Sequence, residues 1–290
     1  SSAASDVYKR QGKYSTYYNS VGYTNQDGVM KGTNYQRYTL QSKQDFKKGI
    51  FQAGTNVVLT YDQSNPLYSV IRGGMVGHTL QAIPTWEQYD ENRTGGYGGL
   101  YGDVVNLTHP LGMVDDNLMK RYSDNVKIFA NAYVSVELMK GLKYKLNLTP
   151  DFQFYRYNSY EGLFDFGLAK HDITAVTEQQ TRTRNILVEN LLTFDRTFGD
   201  HKVSALVGYT YQDSRYRYMQ GSGQGMPTGI TEIDAASQGL AVSGNSSRSV
   251  LTSILGRAFY SYKNRYLLTA TIRRDGSSKS VSYTHLTLPT

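Results

Sequence analysis

The segment Lys143–Phe154, KYKLNLTPDFQF, sets Tyr144, Leu146, Leu148, Phe152 and Phe154 against Lys143, Lys145, Asn147, Asp151 and Gln153. Side chains alternate across a β-strand with a period of two, so one face of this strand is apolar and the other polar and charged. Two architectures produce such a strand. A soluble sandwich puts core on one side and water on the other, and an outer-membrane barrel puts lipid outside and a wet lumen inside. Pro150 falls on the apolar side, where its missing N–H removes a ladder hydrogen bond and favours a bulge or local kink.

The same two-sidedness recurs along the chain. In VKIFANAYVSVEL, residues 126–138, Val126, Ile128, Ala130, Ala132, Val134, Val136 and Leu138 share a face opposite Lys127, Asn131, Ser135 and Glu137. VSALVGYTY puts Val203, Ala205, Val207, Tyr209 and Tyr211 together, and FQAGTNVVLTY and ILVENLLTF repeat the pattern less cleanly. The faces of SVLTSILGRAFYSY are hard to assign. With Tyr-rich segments near residues 14–23 and 33–45 and YLLTATIRR near the end, the chain predicts about nine strands of roughly ten or more residues.

The connections are of two kinds. FKKGI, MKGLK, FGDHK and YKNRY are tight, whereas residues 63–122, 158–183 and 219–247 are long, polar and Gly-rich. Short and long alternate after the second strand, as an up-and-down meander in an outer membrane requires, with turns at the periplasmic rim and loops outside. A sandwich has no reason for that asymmetry. Tyr61, Tyr144, Tyr209, Tyr211, Tyr260, Tyr262 and Tyr266 near strand ends fit aromatic girdles, although strand propensity alone also places tyrosines in strands. The expected fold is therefore all-β, part of a large antiparallel transmembrane barrel, and Lys143–Phe154 separates hydrocarbon from lumen.

Composition agrees and narrows the chemistry. The 290 residues include 26 Tyr and 28 Gly but no Cys, which excludes zinc-thiolate sites, redox motifs and cysteine nucleophiles. A mean hydropathy of −0.50 and the lack of an apolar run near twenty residues exclude a helical span, not a barrel, whose alternating strands average out as polar. The net charge of +7 is scattered, with only Lys47-Lys48 and Arg273-Arg274 as dense pairs, so nucleic acid is not an expected partner. The opening SSAASDVYKRQ has no secretory pattern and, like the closing VSYTHLTLPT, reads as adapter-derived sequence. Residues 1–11 and 280–290 are accordingly expected to be non-native, residues 12–279 to be barrel, and the localisation signal to lie upstream.

His78, His109, His171, His201 and His285 show no metal-ligand spacing. GSGQGMPTG, residues 221–229, lacks the buried strand and following helix of a phosphate-binding loop. Asp115 and Asp116 are a single acidic pair, short of a calcium site. No catalytic constellation, metal site or cofactor is expected, and the chain does not read as an enzyme. The candidate substrate-binding residues are Trp86, Tyr89, Tyr97 and Tyr101 in PTWEQYDENRTGGYGGLYGD. Flat rings amid acids and glycines on an outer loop suit sugar or peptide contacts, and the same rings equally serve to pack the loop against itself.

At the level of motifs, ILGRAFYSYKNRYLLTATIRRDGSS (Ile254–Ser278) closely resembles a barrel hairpin of the SusC/RagA-type TonB-dependent outer-membrane transporters. NLLTFDRTFGDHKVSALVGYTYQ (Asn190–Gln212) resembles another, and YYNSVGYTNQDGVMKGTNYQRYTL (Tyr17–Leu40) resembles the first barrel hairpin after the plug, continued by DFKKGIFQAGTNVVLTY. The resemblance covers residues 12–279 and departs at Ser280, where the family carries an aromatic residue. It implies the outer membrane, a barrel of about 22 strands around a plug, and uptake of oligosaccharides, peptides or similar nutrients. The partners it implies are the TonB complex, acting through a plug and TonB box ahead of Tyr14, and a SusD-like surface lipoprotein as lid. The runner-up is a passive porin or adhesin-like barrel.

Overall fold

The structure is a computed structural model, which describes residues 2–66, 74–100, 107–279 and 283–287. In chain order the elements are β1 (Ser2–Gln11), β2 (Ser15–Asp27), β3 (Asn34–Lys48), β4 (Phe51–Ser64), the short helix α1 (Gly74–Gln81), β5 (Met119–Met139), β6 (Leu142–Glu161), β7 (Phe164–Asp165), β8 (Lys170–His171), β9 (Ala175–Phe198), β10 (His201–Gln224), β11 (Gln238–Tyr262), β12 (Tyr266–Ser277) and β13 (Tyr283–Thr287). All the strands but β7 and β8 form one sheet, in the order β1-β2-β3-β4-β5-β6-β9-β10-β11-β12-β13. Every pair in it is antiparallel, so this is an up-and-down meander. The expected strands are β2 to β6 and β9 to β12. The terminal segments also pair, β1 with β2 and β13 with β12.

Its two faces are reversed with respect to a soluble protein. On β5 Val134 is 50% exposed while its neighbour Ser135 is 9% exposed. Leu40, Leu59, Leu146, Val207 and Ile254 are exposed as well, whereas Asn147, Ser253 and Ser261 are buried. Among the described residues no second sheet covers the apolar face, which removes the sandwich. Each aliphatic side chain left in water forgoes about 1.5–3 kcal/mol that an apolar environment returns, so a whole face of them calls for lipid. The apolar face is the outer wall and the polar face the lumen.

Register makes both faces continuous. Val21, Leu40, Leu59, Ile128 and Phe152 lie opposite one another across β2 to β6. Inside, Asn131 donates to Asn147 Oδ1 at 2.9 Å and Thr149 Oγ1 at 2.7 Å, and Asn147 donates to Glu189 at 2.7 Å. Gln153 donates to Asn125 at 3.0 Å, and Asn125 to Asp62 at 3.1 Å. These bonds satisfy groups that packing shields from water. They also answer for Pro150. The β5–β6 ladder stops after Phe129↔Asp151 and resumes at Ala132↔Leu148 without a change of register, so the expected bulge does not form; the missing backbone pairing is spanned by the Asn131–Thr149 side-chain bond.

Tyrosines collect at two levels on the outer wall. Tyr23, Tyr38 and Tyr61 are cross-strand neighbours with ring centroids 4.9 and 6.3 Å apart. At the turn end Tyr262 stacks on Tyr266 at 6.4 Å, and His201 meets the Tyr260 hydroxyl at 2.6 Å. This is the placement of interfacial girdles. The turns themselves are tight, and Gly141 (φ +85°) shows why: a Cβ there would stand 2.4 Å from the Asp195 carbonyl oxygen.

Strands β9 and β10 run for 24 residues and β11 for 25, where about 9–11 tilted residues cross a bilayer. They therefore rise well beyond the membrane, and the connections are shorter than the sequence suggests: residues 162–174 and 225–237 rather than 158–183 and 219–247. Above the membrane both faces are wet, so the alternation that marks a strand in the sequence fades while the ladder continues.

Candidate functional site

The long segment between β4 and β5 folds into a platform on the loop end of the wall. Its core is Met75, Met113, Leu118, Met119, Phe164 and Phe166, with Met30, Tyr97, Val114 and Ala169 packed against it. Met75 and His78 come from one side of α1, Met30 from the β2–β3 connection, and the two phenylalanines from the loop after β6. One small core thus ties three connections together.

The β7–β8 hairpin is stitched into the platform by backbone and charge. Asp165 N–H donates to the Thr94 carbonyl at 2.8 Å and Leu100 N–H to the Phe166 carbonyl at 3.0 Å. Arg93 reaches Asp165 at 3.0 Å and Asp90 at 3.2 Å, and Lys170 reaches Asp165 at 2.7 Å. The Lys170 ammonium, the Gly167 N–H and Arg93 hold the Asp165 carboxyl below the usual carboxylate range. At Gly167 (φ +88°) a Cβ would lie 1.9 Å from the Leu100 carbonyl oxygen, so a side chain there is incompatible with docking.

Of the four candidate rings, the structure brings three together. Trp86 donates from Nε1 to the Gly98 carbonyl at 3.0 Å and meets His109 edge-on at 4.8 Å. Tyr97 lies 5.1 Å from His109 and 6.1 Å from Phe166, and its hydroxyl donates to Asp115 Oδ2 at 3.0 Å. Burial and the adjacent Asp115 carboxylate push that phenol up to about 12. Tyr89, 5.6 Å from Tyr97, is 63% exposed and presents an open ring. Tyr101 lies outside the described residues. Trp86 and Tyr97 thus pack within the platform, and Tyr89 leaves its ring exposed beside the acids Glu87, Asp90 and Glu91.

The hub of this arrangement is His109, which is 5% exposed and held among Trp86, Tyr97 and Phe166. Burial pushes its imidazole down, against a hydrogen bond with the Glu87 backbone that pushes it up. His78 is also buried, accepting from the Thr108 N–H at 2.9 Å, and burial lowers it too. Neither residue stands out in the sequence, because their packing partners are distant along the chain. Asp115 gives its other oxygen to Asn117, accepting from the backbone N–H at 2.9 Å and the side-chain amide at 3.0 Å. Beside the platform a recess of about 420 Å³ is lined by residues including Asp116, Lys120, Arg121, Arg156, Glu178 and Glu232; its mixed charges suit a polar ligand of either sign.

No protein-family model matches the chain. It is 29% identical over 283 residues to TonB-dependent receptor P3 of Formosa agariphila (strain DSM 15362 / KCTC 12365 / LMG 23005 / KMM 3901 / M-2Alg 35-1), with 91% of this chain and 27% of that protein covered. To TonB-dependent receptor P39 of the same strain it is 26% identical over 273 residues, covering 92% of this chain and 25% of that protein. The chain therefore spans about a quarter of the length of the curated relatives it matches. Its fold superposes on the structure of the RagAB peptide transporter with a TM-score of 0.81 at 16% identity, over 97% of this chain and 33% of that one. The inside-out meander thus has the fold of the RagAB wall and a sequence similar to named TonB-dependent receptors, in keeping with the SusC/RagA type that its motifs resemble.

Proposed function

We propose that the protein containing this chain is an outer-membrane receptor that imports oligosaccharides, peptides or similar nutrients, driven through TonB. The observation that carries this reading is the reversed burial of the sheet, apolar outside and hydrogen-bonded inside, joined to likeness with named TonB-dependent receptors. The platform is the surface that a ligand meets first, with the exposed Tyr89 ring and its acidic surroundings as the contact. A SusD-like lipoprotein closing over the platform fits the wide footing that three packed connections provide, and RagAB is named as a peptide transporter. In cells carrying the full-length receptor, uptake of a labelled oligosaccharide or peptide mixture should stop when TonB is deleted or the proton gradient collapsed. Uptake unchanged by both treatments would make the barrel a passive porin.

A further inference from the structure

Six arginines gather on the outer wall of four neighbouring strands. Arg184, Arg215 and Arg248 each stand fourteen positions from the turn end of their strand, counted from Phe198, His201 and Tyr262, and Arg156, paired with Gln180, stands four positions nearer the loop end than Arg184. Beneath them the same face is apolar, for example Phe194, Leu192, Val188 and Ile186 on β9 and Val203, Ala205, Val207 and Tyr209 on β10. Strands tilted by about 40° climb about 2.5 Å per residue along the membrane normal, which lifts these guanidiniums roughly 35 Å above the turns. An apolar band about 25 Å tall ends below that level. The belt stands where outer-leaflet headgroups lie, and Arg182 and Arg217 continue it two positions higher.

Register turns the belt into an excess of positive charge. Arg215 lies directly opposite Arg184 on one side and Arg248 on the other, and Arg182 lies opposite Arg217. Like charges so placed repel. Two acids compensate in part: Asp213 is held by Arg215 at 3.2 Å and Arg248 at 2.8 Å, and Asp124 by Arg156 at 2.8 Å. Glu178 is the next acid on that face of β9, four positions above Arg182. Arg184 Nε is buried and has no hydrogen-bond partner among the described residues. A recess of about 190 Å³ opens between Gln180, Arg182, Arg217 and Met219.

We propose that this belt binds the phosphate groups of outer-leaflet lipid. The planar guanidinium fork matches phosphate oxygens in pairs, and Arg184, Arg215 and Arg248 lie side by side across three strands with only two of them held by Asp213. The apolar band that continues directly beneath gives acyl chains their contact, which favours a lipid phosphate over a soluble anion or an acidic protein. The inference rests on the outer wall facing lipid and is independent of what the receptor imports.

The test uses the full-length receptor in detergent micelles, with native mass spectrometry to count bound lipid A, a diphosphorylated glycolipid. The wild-type receptor should retain it, bind its dephosphorylated form about tenfold more weakly, and keep it in the presence of equal inorganic phosphate. Arg184→Gln combined with Arg215→Gln and Arg248→Gln should lower occupancy about tenfold, while the lumen-side Lys143→Gln with Lys145→Gln should not. Equal binding of the dephosphorylated lipid, displacement by inorganic phosphate, or unchanged occupancy in the triple variant would each overturn the proposal. So would loss of a dimer in the triple variant with lipid unchanged, since a second copy would then cover the belt. The comparison of the two lipids on wild-type protein stands even if the triple variant fails to assemble, and failure of the wild-type receptor to form a heat-modifiable barrel would count against the fold instead.

Discussion

Ala132 and Asn131 are one step apart on β5 and look into different solvents. Ala132 belongs to the exposed apolar face, and Asn131 is bonded into the lumen network. An arginine facing lipid near the bilayer middle costs about 2–4 kcal/mol, and lumen positions accept charge. Ala132→Arg should therefore sharply reduce folded, heat-resistant barrel in the outer membrane, and Asn131→Arg should not; equal yields would reverse the faces. A second pair separates binding from packing on the platform. Trp86→Ala removes a half-buried ring from against His109 and should lower platform stability by roughly 2–3 kcal/mol, read as faster loop proteolysis, somewhat below the cost of a fully buried Trp. Tyr89→Ala should leave proteolysis unchanged and weaken ligand binding by calorimetry about tenfold, the loss of one exposed aromatic contact. At this scale the sequence was legible wherever a residue sits in an alternating run, since face follows from parity. It was silent on which aromatic is exposed, because Trp86 and Tyr97 differ from Tyr89 only in partners that folding brings to them.

The β7–β8 hairpin and its platform depend on contacts that no local pattern announces. Gly167→Ala should undock the hairpin, because the added Cβ meets the Leu100 carbonyl oxygen and the backbone is left-handed there; hydrogen exchange should rise across residues 90–100 and 162–171 while the strands stay protected. The platform should also loosen in acid. Asp165 is held low by its cationic partners, and His109 and His78 are held low by burial. A depressed folded value means stability that is present above the unfolded value and lost as pH falls through the folded one. Loosening should thus begin as pH drops below about 6.5 for the imidazoles and continue below about 4 for the carboxylate. Limited proteolysis at stepped pH should show cleavage of the platform ahead of the wall, and loss of both together would contradict it. Strand existence was readable from alternation. Strand length was not, since in β9 to β11 the ladder outlasts the pattern, and β11 gave no readable face because only its pairing with β10 fixes one.

The sheet has two edges among the described residues, β1 and β13, each paired on one side. Unpaired backbone groups are not tolerated in lipid, so this chain expressed alone should aggregate or require detergent, and a monodisperse, cooperatively unfolding soluble monomer would defeat the barrel assignment. The architecture was legible from the contrast between tight turns and long connections. The arginine belt was not, because its members are scattered between positions 156 and 248 and align only once register is known. The length of the strands has one more consequence. With about nine residues of β9 beyond Arg184 and of β10 beyond Arg215, the wall carries its loop end roughly 23 Å above those guanidiniums. That clearance sets the loop end of this wall above the sugar fringe of neighbouring glycolipids, so its surface is framed by open water and not by headgroups.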